Sequence, residues 1–105
     1  MSQKPITRVL IANRGEIAVR VARTLRTLGI ECSVVVHGSE RDGLAAREAD
    51  TAIEISGDTP VAAYLDGEQI VRAAVEAGAD AVHPGYGFLA ENADFARRVA
   101  DAGLT

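Results

Sequence analysis

Short apolar runs alternate along the chain with longer segments in which apolar residues recur every three or four positions. The first run, within residues 6–12, is continuously apolar at its centre, as is typical of a central parallel strand covered on both faces. The longer segments have the spacing of amphipathic helices. The predicted strands are 6–12, 31–36, 51–55 and 81–83, and the predicted helices are 14–28, 44–49, one between Asp66 and Gly78 and one between Asn92 and Gly103. This alternation predicts a doubly wound parallel α/β sheet with right-handed crossovers.

Residues that favour helix ends delimit these segments. Asn13 with Glu16, and Asp66 with Gln69, both have the spacing of a capping box, which predicts that each pair begins a helix. Gly29 is suited to end the first helix in a left-handed conformation. The apolar positions of that helix that fall within one arc are predicted to be buried: Ile17, Ala18, Val21, Ala22, Leu25 and Leu28.

Composition and charge narrow the classes of protein. The 105 residues, 48% hydrophobic and 25% charged, are typical of one soluble globular domain, and we expect neither a transmembrane helix nor a secretory signal. The single cysteine, Cys32, excludes an internal disulfide and favours a cytoplasmic location. The net charge of −4 argues against binding to nucleic acid, although residues 1–30 carry six of the eleven basic residues and one acidic residue.

The residues that follow the predicted strands are candidates for a ligand site, because ligands of open α/β sheets bind at the carboxyl ends of the strands. The fourth strand leads into His83-Pro84-Gly85-Tyr86-Gly87-Phe88-Leu89, whose glycines allow close approach of the backbone to a ligand. The alternative is a tight turn in which Tyr86 and Phe88 cap the core. Residues 37–39 end another strand. The main candidates at this edge are Asn13, Arg14, Gly15, Glu16, His83 and Gly85.

Two further patterns bear on binding. Arg20, Arg23 and Arg26 fall on one face of the first helix, which is either a solvated face or a surface for a partner that supplies carboxylates or aromatic side chains. Asn13-Arg14-Gly15-Glu16 has one glycine where a dinucleotide-binding loop needs three, and the only lysine is Lys4, so a P-loop is excluded. No cysteine and histidine residues have metal-ligand spacing.

Two long motifs resemble a known family. Ile11-Ala12-Asn13-Arg14-Gly15-Glu16-Ile17-Ala18 and the segment from His83 to Leu89, followed by Glu91-Asn92, are similar to the N-terminal domain of biotin carboxylase. The resemblance implies that residues 1–105 form a Rossmann-like domain that precedes an ATP-grasp fold. We expect the last strand of this domain to lie beyond residue 105. In that family, ATP activates bicarbonate as carboxyphosphate, and the carboxyl group passes to N1′ of biotin on a carrier domain or subunit.

The resemblance also implies roles for individual residues. Tyr86 and Gly87 match positions that line the biotin pocket, the glycine through its backbone N–H, and Glu91 matches an acid near the same edge. Arg20 and Arg23 match positions in the family's homodimer interface. Partners implied by the family are a biotin carboxyl carrier domain, a carboxyltransferase subunit and a second copy of the chain.

The family's ligands for ATP and Mg²⁺ and its catalytic base lie downstream of residue 105. We therefore expect the chain alone to have no catalytic residue, to bind none of these cofactors and to be inactive. Two other classes stay open. One is a non-catalytic interaction module that uses the arginine face and the Tyr86 loop, and the other is a separate nucleotide-binding protein.

Overall fold

The strands and helices follow one another in the predicted alternation. The computed structural model describes residues 6–38, 43–85, 89–90 and 92–105. Within that part of the chain, no helix is long and apolar enough to span a membrane. The elements are β1 (Arg8–Ile11), α1 (Gly15–Thr27), β2 (Glu31–His37), α2 (Leu44–Glu48), β3 (Thr51–Ile55), α3 (Pro60–Tyr64), α4 (Gly67–Glu76), β4 (Ala81–His83) and α5 (Ala93–Asp101).

The four strands form one parallel sheet in the order β3-β2-β1-β4. β1 lies in the interior of the sheet, where Val9 is opposite Cys32 on one side and Ala81 on the other. Successive strands therefore run outward from β1 to β3, and the chain then returns across the sheet to place β4 on the other side of β1. This order confirms the doubly wound parallel α/β fold.

Helices cover both faces of the sheet, and the side chains of β1 therefore alternate between two buried clusters. Val9 and Ile11 face the cluster that includes Ala18, Ala22 and Leu25 of α1. Leu10 and Ala12 face the other cluster, which is built mainly by α3, α4 and α5. Its members include Val35, Ile55, Tyr64, Ile70, Ala74, Phe95 and Val99. The apolar run at the start of the chain is thus buried on both sides, as predicted.

The buried face of α1 is turned relative to the prediction. Ala18, Val19, Ala22 and Leu25 are buried, whereas Leu28 is 65% exposed. The helix ends at Thr27, and Leu28 lies beyond its last turn, where it no longer faces the sheet. The prediction that Leu28 is buried is therefore wrong, and Val19 takes part in the core instead.

The predicted cap of α4 is confirmed and that of α1 is wrong. Asp66 Oδ1 accepts a hydrogen bond from the Gln69 backbone N–H at 3.2 Å and caps α4. At α1 the capping position is occupied by Arg14, and no side chain caps the helix. The Asn13 side chain is buried instead, because it bonds to the loop after β4.

α3 begins at Pro60, within the segment 56–60, whose composition predicts only a turn-rich link. Thr59 Oγ1 accepts a hydrogen bond from the Ala62 N–H at 3.1 Å, so threonine before proline is the missed signal of a helix start. Tyr64 is buried as expected, and its hydroxyl donates to the Val35 carbonyl at 3.3 Å. Leu65, expected to pack beside it, is 46% exposed.

The last described residue lies beside β4 on the side away from β1. The Thr105 N–H donates to the Asp80 carbonyl at 3.1 Å, and the Thr105 carbonyl accepts from the Val82 N–H at 2.9 Å. These two bonds follow the alternation of a parallel ladder. A further strand next to β4 would begin with this pairing. The position of that strand and the boundary of the domain stay predictions.

Candidate functional site

The loops that follow β1 and β4 meet at the carboxyl edge of the sheet. Ile11 is opposite His83 in the ladder, and the Ala12 N–H donates to the His83 carbonyl at 2.9 Å. The chain leaves β1 toward one side and reaches β4 from the other, so a crevice of the kind that holds ligands in open α/β sheets lies between these two strands. The structure therefore brings together the two loops that the sequence singles out.

Asn13 joins the two loops. Its side chain is fully buried, its Nδ2 donates to the Pro84 carbonyl at 2.7 Å, and its Oδ1 accepts from the Arg14 N–H at 2.8 Å. A buried amide needs such partners, because desolvation without a hydrogen bond is costly. Asn13 thus lies at the candidate edge as part of its framework.

His83 and Gly85 lie on the other loop. His83 is exposed, and its Nδ1 accepts a hydrogen bond from the Gly85 N–H at 3.0 Å. In a neutral ring this bond leaves the proton on Nε2. Gly85 has a φ of +68°, a conformation that disfavours other residues. The loop after β4 therefore turns sharply at Gly85, directly before Tyr86.

A groove of about 560 Å³ connects this loop with α1. Its walls contain two half-buried apolar side chains, two charged side chains of α1 and two residues of the loop: Ile17, Val21, Glu16, Arg20, His83 and Gly85. The sequence predicts that Ile17 and Val21 are buried, and both are half-buried, with Val21 packed against the core. These two residues and Arg20 also line the groove at the candidate edge, which the sequence pattern does not indicate. The interface role expected of Arg20 stays a prediction.

A second cavity, of about 640 Å³, lies on the β2 side of the same helix start. Arg14, Gly15 and Glu16 line it together with Arg23 and residues 43–45. Gly15 has a φ of +61° and is exposed, and Glu16 lies in the first turn of α1, where a carboxylate interacts favourably with the helix dipole. All four candidates in 13–16 therefore line this cavity, and Glu16 also lines the groove beside the loop after β4.

The candidates at the end of β2 and beyond β4 have different outcomes. The His37 Nε2 lies 2.9 Å from the Gly57 carbonyl, and its backbone N–H donates to the Tyr64 hydroxyl at 3.4 Å, so His37 links β2 to neighbouring elements. Ser39, Tyr86, Gly87, Phe88 and Glu91 lie outside the described residues. The biotin-pocket roles expected of Tyr86, Gly87 and Glu91 stay predictions.

The arginine face of α1 has an acidic neighbour within the chain. Arg23 and Arg26 both form ion pairs with Glu48 of α2, at 3.1 and 3.4 Å, and Arg26 also donates to the Glu48 carbonyl. Arg23 and Arg26 are therefore paired within the chain, which the sequence pattern of α1 alone does not indicate. Arg20 is exposed and forms no ion pair with any residue that the structure describes.

Metal binding and the reactivity of the cysteine can be assessed in the described ranges. No cluster of three or more histidine, cysteine or acidic side chains among residues 6–38, 43–85, 89–90 and 92–105 could hold a metal ion. Burial raises the pKa of the Cys32 thiol, which keeps it in the neutral, weakly nucleophilic form. Cys32 is therefore a core residue, as the sequence indicates.

Comparison with known protein families extends the similarity along almost the whole chain. A family model described as the biotin carboxylase N-terminal domain matches residues 5–105. The alpha subunit of the mitochondrial methylcrotonoyl-CoA carboxylase of Glycine max is 50% identical over 100 residues, which cover 95% of this chain and 14% of that protein. The mitochondrial pyruvate carboxylase of Rattus norvegicus is 48% identical over 105 residues, which cover 99% of this chain and 9% of that protein.

A solved structure extends the similarity to the fold. The biotin carboxylase domain of the Hydrogenobacter thermophilus 2-oxoglutarate carboxylase, in complex with MgADP, ADP and bicarbonate, matches with a TM-score of 0.91 and 45% identity. The match covers 98% of this chain and 22% of that one. The chain thus has the fold of a domain that forms a small part of each of these larger proteins.

Proposed function

The chain belongs to the biotin carboxylase N-terminal domain family, and from this membership we propose that it forms the N-terminal domain of a biotin-dependent carboxylase. The enzyme would use ATP and bicarbonate to carboxylate biotin on a carrier, from which the carboxyl group passes to an acyl-CoA or to pyruvate. The observation that carries this proposal is the family match over residues 5–105. The relatives from Glycine max and Rattus norvegicus support it, since their names specify methylcrotonoyl-CoA and pyruvate carboxylases.

We propose that the domain contributes one wall of the biotin pocket. Tyr86, Gly87 and Glu91 would form this wall, with the Gly87 N–H directed at biotin. The position of Gly85 supports the assignment, because this residue lies at the carboxyl edge between β1 and β4 and directly precedes Tyr86 in the sequence. Substrate contacts at such an edge are typical of open α/β sheets.

The ATP and Mg²⁺ sites are assigned to other parts of the enzyme. Phosphoryl transfer relies on cations and metal ligands, and the described residues offer no metal-binding cluster, while the only lysine, Lys4, lies outside them. We therefore assign none of the described residues to those sites. The biotin carboxyl carrier domain and the carboxyltransferase subunit are the proposed partners, and the 105-residue chain alone is proposed to be inactive.

The proposed cellular location is the cytoplasm. The single, buried cysteine supports a reducing compartment. The relatives from Glycine max and Rattus norvegicus are mitochondrial proteins, so location differs among members of the wider group. Cell fractionation with an antibody against this chain would distinguish the two compartments.

Enzymatic activity provides the direct test. An antibody against the chain is expected to detect, in the source cells, a polypeptide several-fold larger than 11.0 kDa. That polypeptide, once purified, should release phosphate from ATP only when both bicarbonate and biotin are present. The 105-residue chain should release none under the same conditions. A native product of 11.0 kDa, or a larger one without this activity, would contradict the proposal and favour an interaction module.

We further propose that the enzyme forms a homodimer through α1, with Arg20 contacting a carboxylate of the second copy. Arg20 has no ion pair among the described residues, whereas Arg23 is paired with Glu48 and is less available to a second copy of the chain. Arg20→Glu should therefore raise the dissociation constant of the purified enzyme at least about tenfold, because it places like charges together. Sedimentation equilibrium measures this constant.

Arg72→Glu is the matched control for that measurement. It makes the same change in charge on α4, which covers the opposite face of the sheet and pairs Arg72 with Glu68. Its dissociation constant should stay within twofold of the wild-type value. Equal weakening in both variants would show a general charge effect, and an unchanged constant in Arg20→Glu would exclude Arg20 from the interface.

A further inference from the structure

Asn13 makes hydrogen bonds that few other side chains of its size could make. Its Nδ2 donates to the Pro84 carbonyl at 2.7 Å while its Oδ1 accepts from the Arg14 N–H at 2.8 Å. An ionised carboxylate could accept but not donate, and an apolar side chain could do neither. The side chain is fully buried, so water does not replace a missing partner there.

Asn13 also packs against Gly85, the residue after Pro84. A Cβ atom on Gly85 would lie 2.9 Å from Asn13 Nδ2 and 2.8 Å from Ile17 Cγ2, so the backbone of Gly85 packs directly against these two side chains. On its other side, the Gly85 N–H donates to His83 Nδ1. The backbone from His83 to Gly85 is therefore held by hydrogen bonds from the Asn13 side chain and the Ala12 N–H, by one bond within the loop, and by close packing.

We propose that Asn13 is a positioning residue for the biotin-contacting loop. By holding Pro84 and Gly85 it sets the direction in which the chain leaves Gly85, before the residues for which we propose a contact with biotin. The part of this inference that concerns biotin rests on the proposed function. A small displacement of a group that contacts the substrate strongly weakens the interaction. A residue that only aligns such a group is therefore important for binding.

The loop position can be measured in the 105-residue chain without assuming any function. Asn13→Asp keeps the shape of the side chain but removes the donor to Pro84, so the ¹H–¹⁵N resonances of Gly85 and Gly87 should move by more than their linewidths. Asp80→Ala is the matched control, because Asp80 joins the same two strands at their opposite ends. It should leave both glycine resonances in place. If the aspartate variant does not fold, Asn13→Ser removes the same bond without adding a charge.

The consequence for binding is measured in the longer native enzyme, with free biotin as substrate. In the Asn13 variant the KM for biotin should rise about tenfold or more, while the KM for ATP stays within twofold of the wild-type value. A general loss of folding would lower kcat and would not raise the KM for biotin while leaving the KM for ATP unchanged.

The outcomes of the two experiments are distinct. A wild-type enzyme without biotin-dependent ATP cleavage would refute the proposed function and leave the loop measurement valid. An active enzyme whose folded Asn13 variants keep the wild-type KM for biotin, or glycine resonances that do not move, would overturn the positioning role of Asn13.

Discussion

Gly85→Ala is expected to destabilise the protein by about 3 kcal/mol and to displace the loop after β4, because it combines backbone strain with overpacking. The φ of +68° disfavours any side chain, and the added Cβ would meet Ile17 Cγ2 at 2.8 Å and Asn13 Nδ2 at 2.9 Å. Neither neighbour can easily withdraw, since Asn13 is fixed by its bond to Pro84. Urea unfolding followed by circular dichroism measures the change in free energy of unfolding.

Gly29→Ala separates the two causes. Gly29 also has a positive φ, of +74°, but a Cβ there would meet no atom within 4 Å. Its replacement should cost about 1 kcal/mol, which is the strain of the backbone alone. If the two variants lose the same stability, the close approach of Gly85 to Asn13 and Ile17 contributes nothing, and the loop is less tightly held than its geometry implies.

Asp80→Ala is expected to lower the free energy of unfolding by about 2 kcal/mol and the melting temperature by about 10 °C. A single oxygen, Asp80 Oδ2, accepts hydrogen bonds from the Thr7 N–H and hydroxyl, both at 2.8 Å, and from the Arg8 N–H at 3.0 Å. These bonds join the start of β1 to the residue before β4. Their partial exposure to water keeps the effect below the sum of three buried bonds to a charged group. Thermal unfolding by calorimetry measures the melting temperature.

Asp58→Ala is the control for the loss of charge. Asp58 is exposed and makes no hydrogen bond or ion pair within the described parts of the chain, so its removal should change the melting temperature by no more than about 2 °C. Similar decreases in both variants would attribute the effect to net charge. A stable Asp80→Ala protein would show that the strand ladder holds β4 without this carboxylate.

The sequence predicts those features of the fold that depend on neighbouring residues. The apolar run in β1, the alternation of strands and helices, and the capping of α4 by Asp66 are all confirmed. In each case the physical cause lies within a few residues: an unbroken apolar run is stable only when both faces are covered, and a capping side chain bonds three positions away.

The features that the sequence does not predict depend on residues far along the chain. Asn13 has the local pattern of a helix cap, but the Pro84 carbonyl, 71 positions away, competes for its side chain and leaves α1 without a side-chain cap. Arg23 resembles part of an unpaired basic face until the fold brings Glu48 beside it. The candidate edge could therefore be located from the sequence, while the residues that shape it required the three-dimensional structure.

Because of the order of the strands, the candidate site is lost more easily than the pairing of β1, β2 and β3. Val9 pairs with Cys32 after 23 residues of chain and with Ala81 after 72, so closing the second loop costs about 1 kcal/mol more in chain entropy. In the strand ladder, only three residues of β4 pair with β1 to offset that cost. A fluctuation that detaches β4 leaves β1, β2 and β3 paired, yet removes Pro84 and Gly85 from Asn13 and with them one wall of the site.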